Sequence, residues 1–110
     1  MLPKKTRVNT REIDRIFKDG KFITSPSLTF KFILNYTSTS TPSRISFIAP
    51  KSIAKLAVKR NLLRRRGYRA LAKYIDQFPL GLIGAFVFKK MEEDISIIEN
   101  EIEKILHRLD

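Results

Sequence analysis

Hydrophobic positions along this chain change period several times, and each change marks an element. Ile13, Ile16 and Phe17 recur at helical spacing, which predicts a short helix over residues 9–19. Asn9 or Thr10 serves as its cap, Glu12 lies in the first turn, and Gly20 fits the C-terminal stop. From Lys21 the period falls to two. Phe22-Ile23-Thr24 predicts a short strand, and after Ser25-Pro26-Ser27 the residues Leu28, Phe30, Phe32 and Leu34 alternate with Thr29, Lys31, Ile33 and Asn35. The polar segment 37–43 is a hairpin loop, and Arg44 to Ala49 returns as a strand with Ile45, Phe47 and Ala49 on one side. Pro50 ends that strand.

A long helix follows over about residues 52–75, with Leu56, Leu63, Leu71, Tyr74 and Ile75 on the arc expected to face the sheet. Phe78-Pro79-Leu80-Gly81 is a turn. Leu82 to Phe88 is nearly all apolar and of strand length, the pattern of a strand covered on both faces. Ile95, Ile98, Ile102, Ile105 and Leu109 then mark an amphipathic helix over residues 92–109. The predicted fold is α+β: a single-domain, two-layer sandwich of order α-β-β-β-α-β-α, with a strand-helix-strand crossover from Arg44 to Phe88.

Charge changes the picture more than composition does. The chain has 110 residues, 22 Lys+Arg against 11 Asp+Glu, and a formal charge of +11. Hydrophobic content of 43% supports one core and argues against a disordered basic tail. No Asp or Glu occurs between Gly20 and Ile75, and that stretch contains the crossover helix. The acids gather instead at Glu92, Glu93, Asp94, Glu99, Glu101, Glu103 and Asp110, on a segment whose acids are expected to face water. A single-sign field works against a compact state unless a polyanion meets it, so nucleic acid is the leading partner.

On the crossover helix, Lys55, Lys59, Arg66, Arg69 and Lys73 fall within about an 80° arc. They form a cationic stripe. Arg60 and Arg64 project beside the apolar arc instead, where each needs a carbonyl, a cleft rim or a clamped phosphate. Gly67 costs roughly 1 kcal/mol inside a helix relative to Ala and suggests close backbone approach or a bend. Most strand aromatics (Phe22, Phe30, Phe32, Tyr36, Phe47) belong in the core, and any on an open face can stack on unpaired bases.

Other function classes lack their residues. Cysteine is absent, which removes disulfides, thiolate metal sites and thiol catalysis. No nucleophile stands with a base, no glycine-rich phosphate loop occurs, no metal-ligand cluster is visible, and His107 reads as a surface or helix-end residue. Met1-Leu2-Pro3-Lys4-Lys5 leads into charge without an apolar targeting core, and no apolar run approaches about 18 residues. A soluble, cytoplasmic protein with no membrane partner is expected.

The residues from Pro50 to Arg65, with Ala57-Val58-Lys59-Arg60-Asn61-Leu62-Leu63-Arg64-Arg65 at their centre, resemble the signature of the bacterial ribonuclease P protein component. Arg11 to Lys21 resembles that family's first helix and the glycine after it. The resemblance runs over nearly the whole chain. It departs at Pro50, Ser52 and Ala54-Lys55, at Tyr68 where the signature's last arginine falls, and at Ile13 and Lys31, which replace family aromatics.

The resemblance implies a single RNA-binding domain that assembles with a catalytic RNA and its precursor-tRNA substrate. It implies an accessory subunit of an endoribonuclease, with the RNA and its Mg²⁺ releasing the 5′ leader and no catalytic residue or metal site in the protein. Together with the charge it makes Lys51, Lys55, Lys59, Arg60, Asn61, Arg64, Arg65, Arg66, Arg69 and Lys73 the RNA-binding candidates. It places the leader against Ile13, Phe17 and Lys31. The competing reading is a ribosomal or ribosome-associated structural RNA binder of the same size and charge. A duplex DNA binder is disfavoured, since neither helix-turn-helix spacing nor a dimer seam is present.

Overall fold

A computed structural model describes residues 7–34, 36 and 41–109. Four strands, β1 (Lys21–Thr24), β2 (Leu28–Ile33), β3 (Arg44–Ile48) and β4 (Ile83–Phe88), form one sheet in the order β1-β2-β4-β3. Helices α1 (Thr10–Asp19), α2 (Ala57–Ala72) and α3 (Ile95–His107) pack on it, and a short 3₁₀ turn spans Ile75–Gln77. The α+β sandwich and its predicted order are those observed. Most of the polar loop 37–43 lies outside the described residues.

β4 is central because its sequence permits it. It pairs antiparallel with β2 and parallel with β3, so both edges are hydrogen-bonded, and its residues are buried on both faces except Val87, which is half-buried. The parallel pairing requires a crossover, which α2 supplies. Alternation then sorts the side chains. Phe30, Phe86 and Phe47 lie in register across three strands and stack on one face, with ring centroids 4.3 Å and 5.0 Å apart. Leu63 and Leu71 of α2 and Ile98 and Ile102 of α3 close over them, all fully buried. Burying one such side chain contributes roughly 1.5–3 kcal/mol. The opposite face is covered in part by α1, through a smaller cluster of Val8, Ile16 and Ile83 with Ile13 and Ile33 at its margin.

Local chemistry fixes the ends of α1. The Asn9 side chain accepts from the Glu12 N–H at 2.8 Å, and the Glu12 carboxylate accepts from the Asn9 N–H at 3.0 Å, a reciprocal cap. Gly20 ends the helix at φ −77, so its value is not left-handed backbone. A Cβ there would instead press on the Ile16 carbonyl and stand 3.0 Å from that of Phe32.

The crossover helix begins later than its periodicity suggests. Residues 51–53 form a turn in which the Ile53 and Ala54 N–H groups donate to the Pro50 carbonyl. α2 starts only at Ala57, with Leu56 in extended backbone before it. Leu56 therefore stands 62% exposed rather than facing the sheet. Tyr68 occupies the place in the core that a reading by charge overlooks. Its ring is buried, and its hydroxyl accepts from the Phe47 N–H at 3.1 Å, satisfying a donor on the outer edge of β3.

α3 also differs from expectation. Several of its acids turn to protein rather than to water. Glu101 is buried and accepts from the Ser27 N–H at 2.8 Å and from the Ser25 hydroxyl, tying α3 to the β1–β2 turn. Glu99 pairs with Lys73 at 3.8 Å, and Glu103 accepts from the Tyr74 hydroxyl at 3.0 Å. That last bond raises the Tyr74 pKa, with burial and the nearby Glu99 charge adding to it. A raised phenol pKa means the bond stabilises the fold fully below the unfolded tyrosine value and is lost as pH rises through the folded one. Glu103→Gln should lower the alkaline midpoint of Tyr74 ionisation, followed by phenolate absorbance near 295 nm in a background lacking the other two tyrosines.

Candidate nucleic-acid interface

Helical geometry divides the basic residues of α2 among three flanks. Neighbours three or four apart share a flank, and one residue's step turns a side chain by about 100°. Lys59, Arg66 and Lys73 lie on the flank toward α3. Arg66 donates to the Glu92 carbonyl at 3.5 Å and Lys73 meets Glu99, so two members of the predicted stripe are engaged within the protein. Periodicity gathers side chains onto one arc but does not say which neighbour that arc meets.

The outward flank carries Arg65 and Arg69, both exposed, together with the exposed apolar Val58 and Leu62. The third flank carries Asn61, Arg64 and Tyr68. Arg64 donates to the Asn61 side-chain oxygen, which orients both groups. Arg60 finds the carbonyls of Ala54 and Lys55, at 3.1 and 2.7 Å, and so braces the turn that precedes the helix. The two arginines beside the apolar arc are thus both partnered. Arg60 is committed to backbone, whereas Arg64 remains on the surface with its neighbour Arg65. Lys51 and Lys55 are exposed on the turn leading into α2.

Residues 7 and 8 cross the free edge of β3 and join this flank to the opposite face of the sheet. The Arg7 guanidinium stacks over the Tyr68 ring at 4.3 Å. The Val8 N–H donates to the Ser46 hydroxyl at 3.0 Å. Arg69 is turned outward, so the guanidinium that stands over position 68 is Arg7's.

On that opposite face, α1 covers one end of the sheet and leaves the other open. Strand register places Phe22, Lys31 and Ala85 in one row, and Thr24, Thr29, Val87 and Ile48 in the next. Phe22 is 66% exposed, and Thr29, Val87 and Ile48 are half-buried. Phe17 of α1 stands at the wall, 44% exposed, with the Lys31 ammonium 4.7 Å from its ring centroid. A shallow cleft results, with aromatic and aliphatic surface beside the Lys31 ammonium. Of the three residues expected to meet a leader strand, Phe17 and Lys31 come together here. Ile13 is packed beside the Val8–Ile16–Ile83 cluster.

Phe22, Val87, Ile48 and Arg7 were not among the site residues read from sequence. The signal for Phe22 was present, since it alternates with the buried Ile23 and so faces away from the main core. Alternation in β3 likewise puts Ile48 on the side opposite Ile45 and Phe47, whereas β4, apolar at nearly every position, gives no such signal for Val87. Phe30, Phe32 and Phe47 are core residues as expected, while Phe22 and Tyr36 are exposed.

Among the described residues, no group of three or more His, Cys, Asp or Glu side chains is placed to hold a metal ion. None of their helices is long and apolar enough to cross a membrane.

Comparison with known proteins adds the family. The backbone is similar to that of the RNase P protein from Thermotoga maritima, with a TM-score of 0.79 at 20% identity over 94% of this chain and 97% of that one. It is similar also to the RNase P protein of Staphylococcus aureus, with a TM-score of 0.75 at 16% identity over 94% of each chain. Likeness at those identities speaks for the fold. No curated protein matches the sequence. The family model described as Ribonuclease P, however, matches residues 2–110. By that match the chain belongs to the ribonuclease P protein family.

Proposed function

We propose that this chain is the protein subunit of a ribonuclease P ribonucleoprotein, holding the catalytic RNA and the 5′ leader of precursor tRNA while the RNA cleaves. The observation that carries the reading is an open, aromatic-edged sheet face joined around one strand edge to a helix flank rich in arginine. The leader, a single strand, lies in the cleft with bases against Phe17, Phe22 and Val87 and a phosphate at Lys31. Base–aromatic stacking contributes about 1–3 kcal/mol per base and tolerates any sequence, which suits a leader of varied sequence. Arg64, Arg65 and Arg69, with Lys51, Lys55 and Lys59, meet the folded RNA through its phosphates, where guanidinium groups bind in bidentate fashion. Arg66 and Lys73 are secondary, because each must first leave a protein partner. Arg60 acts through the turn it braces.

Mg²⁺ belongs to the RNA in this reading. The protein's part is to lower electrostatic repulsion between the RNA and its substrate and to fix the leader. Its effect is therefore largest at low Mg²⁺.

Reconstitution with a ribonuclease P RNA tests this. At low Mg²⁺ the protein should raise the cleavage of precursor tRNA and its affinity for leader-bearing substrate. Phe17→Ala should weaken leader-bearing substrate about five- to tenfold, with leaderless tRNA unchanged. Arg64→Ala and Arg65→Ala should weaken RNA binding more than Glu99→Gln or Glu103→Gln does. An RNA-binding protein that gives no gain in cleavage and no leader dependence is the ribosomal alternative, and the proposal then fails.

A further inference from the structure

β1 is an edge strand of four residues, hydrogen-bonded to β2, and of its residues only Ile23 is buried. Phe22 and Thr24 alternate with Ile23 and so lie on the open face that forms the cleft. So short an element has little packing of its own to fix where Phe22 stands. Its turn supplies the rest. The Ser25 N–H closes the hairpin on the Leu28 carbonyl at 2.7 Å, and the Lys89 N–H donates to the Ser27 carbonyl at 2.8 Å.

From the side of the sheet away from the cleft, Glu101 of α3 holds that turn. Its side chain is buried, and one carboxylate oxygen accepts both from the Ser27 N–H, at 2.8 Å, and from the Ser25 hydroxyl. Ser27 is fully buried, so its N–H would be costly to leave without an acceptor. Ile98, Ile102 and Ile105, on the same side of α3 as Glu101, are fixed in the main core. The carboxylate is therefore the stationary partner, and the turn follows it. An aliphatic residue at position 101 would pack without the cost of burying a charge. What the carboxylate adds is direction, since two donors of one turn must meet a single oxygen.

We propose that Glu101 is a positioning residue for the leader strand. By holding the β1–β2 turn from behind the sheet, it sets where the Phe22 ring stands in the cleft. Phe22 lies three residues before Ser25, about 10 Å along the strand, so a shift of the turn reaches it through one short extended segment. The inference rests on the leader-binding reading above, and adds to it a residue on α3, the helix that carries none of the RNA-binding candidates.

The experiment compares leader-bearing and leaderless tRNA in the reconstituted holoenzyme, at a temperature where thermal midpoints show every variant folded. Glu101→Ala should weaken leader-bearing substrate about three- to fivefold, part of the stacking of one base. Leaderless tRNA and the affinity for the catalytic RNA should stay unchanged. Glu101→Gln keeps an oxygen that can accept from both donors and should restore most of the leader affinity. Ser25→Ala removes one donor and should show a smaller loss. Phe22→Ala supplies the decisive background: there Glu101→Ala should still lower the thermal midpoint but cause no further loss of leader affinity.

A folded Glu101→Ala protein with unchanged preference for the leader overturns the proposal. So does a loss that persists in full in the Phe22→Ala background, because it does not then run through Phe22. Equal losses for leader-bearing and leaderless substrate assign Glu101 to stability alone and overturn it likewise. Phe17→Ala separates the two levels. If it lowers leader affinity while Glu101→Ala does not, only the positioning role fails; if neither Phe17→Ala nor Phe22→Ala lowers it, the leader-binding reading fails and the proposal with it.

Discussion

Replacing Glu12 with alanine is expected to lower the stability of the fold by about 2–3 kcal/mol, measured by urea unfolding. Glu12 is 5% exposed, and both its oxygens are committed. One accepts from the Asn9 N–H and closes the cap of α1; the other meets the Arg44 guanidinium at the start of β3. Loss of a reciprocal cap costs about 1 kcal/mol. Removing one partner of a buried ion pair costs about 3–5 kcal/mol when the other charge stays buried. Arg44 keeps 26% of its side-chain surface in water, which reduces that penalty. Glu12→Gln keeps an acceptor for Asn9 and removes the charge, so its loss should be about half as large. Because α1 also carries Phe17, Glu12→Ala should weaken leader-bearing substrate more than leaderless tRNA. Equal stability of Glu12→Gln and Glu12→Ala would assign the whole effect to the ion pair.

Gly67→Ala is expected to destabilise the protein by about 2 kcal/mol, although alanine is the better helix former. In an open helix the exchange gains roughly 1 kcal/mol. Here an added Cβ would stand 2.6 Å from Cε1 and 2.8 Å from Cγ of Phe47. The Phe47 ring cannot step aside, since it stacks on Phe86, tilts against Phe88 and meets Tyr68 edge-on. Overpacking of this kind costs about 1–3 kcal/mol, here toward the upper end before the helix gain is deducted. The double variant Gly67→Ala with Phe47→Leu should recover part of the loss beyond the sum of the single effects, measured as a double-mutant cycle. A simple sum would show that the two residues do not collide.

The fold was legible because each element announces its own period. β4 reads as doubly covered from an unbroken apolar run, and the crossover follows from the order of elements. Gly67 was legible as a close approach, though not against which residue. The interface was less legible, for a reason that lies in the physics of tertiary contact. A helical wheel ranks Lys59, Arg66 and Lys73 as one stripe, but only packing shows that α3 stands beside it, with the Glu92 carbonyl and the Glu99 carboxylate in reach. The acids of α3 misled in the same way. Their helical pattern allows a solvated face, yet Glu101 is buried because two donors of the β1–β2 turn await it. Arg7 lies 61 positions before Tyr68 in sequence, so no local pattern connects them. The signature residues Asn61, Arg64 and Arg65 were legible by resemblance, and structure explains why two of them touch.

The partnering of α2 by α3 also makes the protein electrically lopsided. Glu99 screens Lys73, while Arg64, Arg65 and Arg69 on the other flanks have no carboxylate partner among the described ion pairs. The separation of charge amounts to a dipole across the molecule. In the field of a polyanion a dipole experiences torque before contact, so the protein turns its arginine side forward during approach. Collisions are thereby biased toward the productive face, and the association rate gains from α3 even though α3 need not touch the partner.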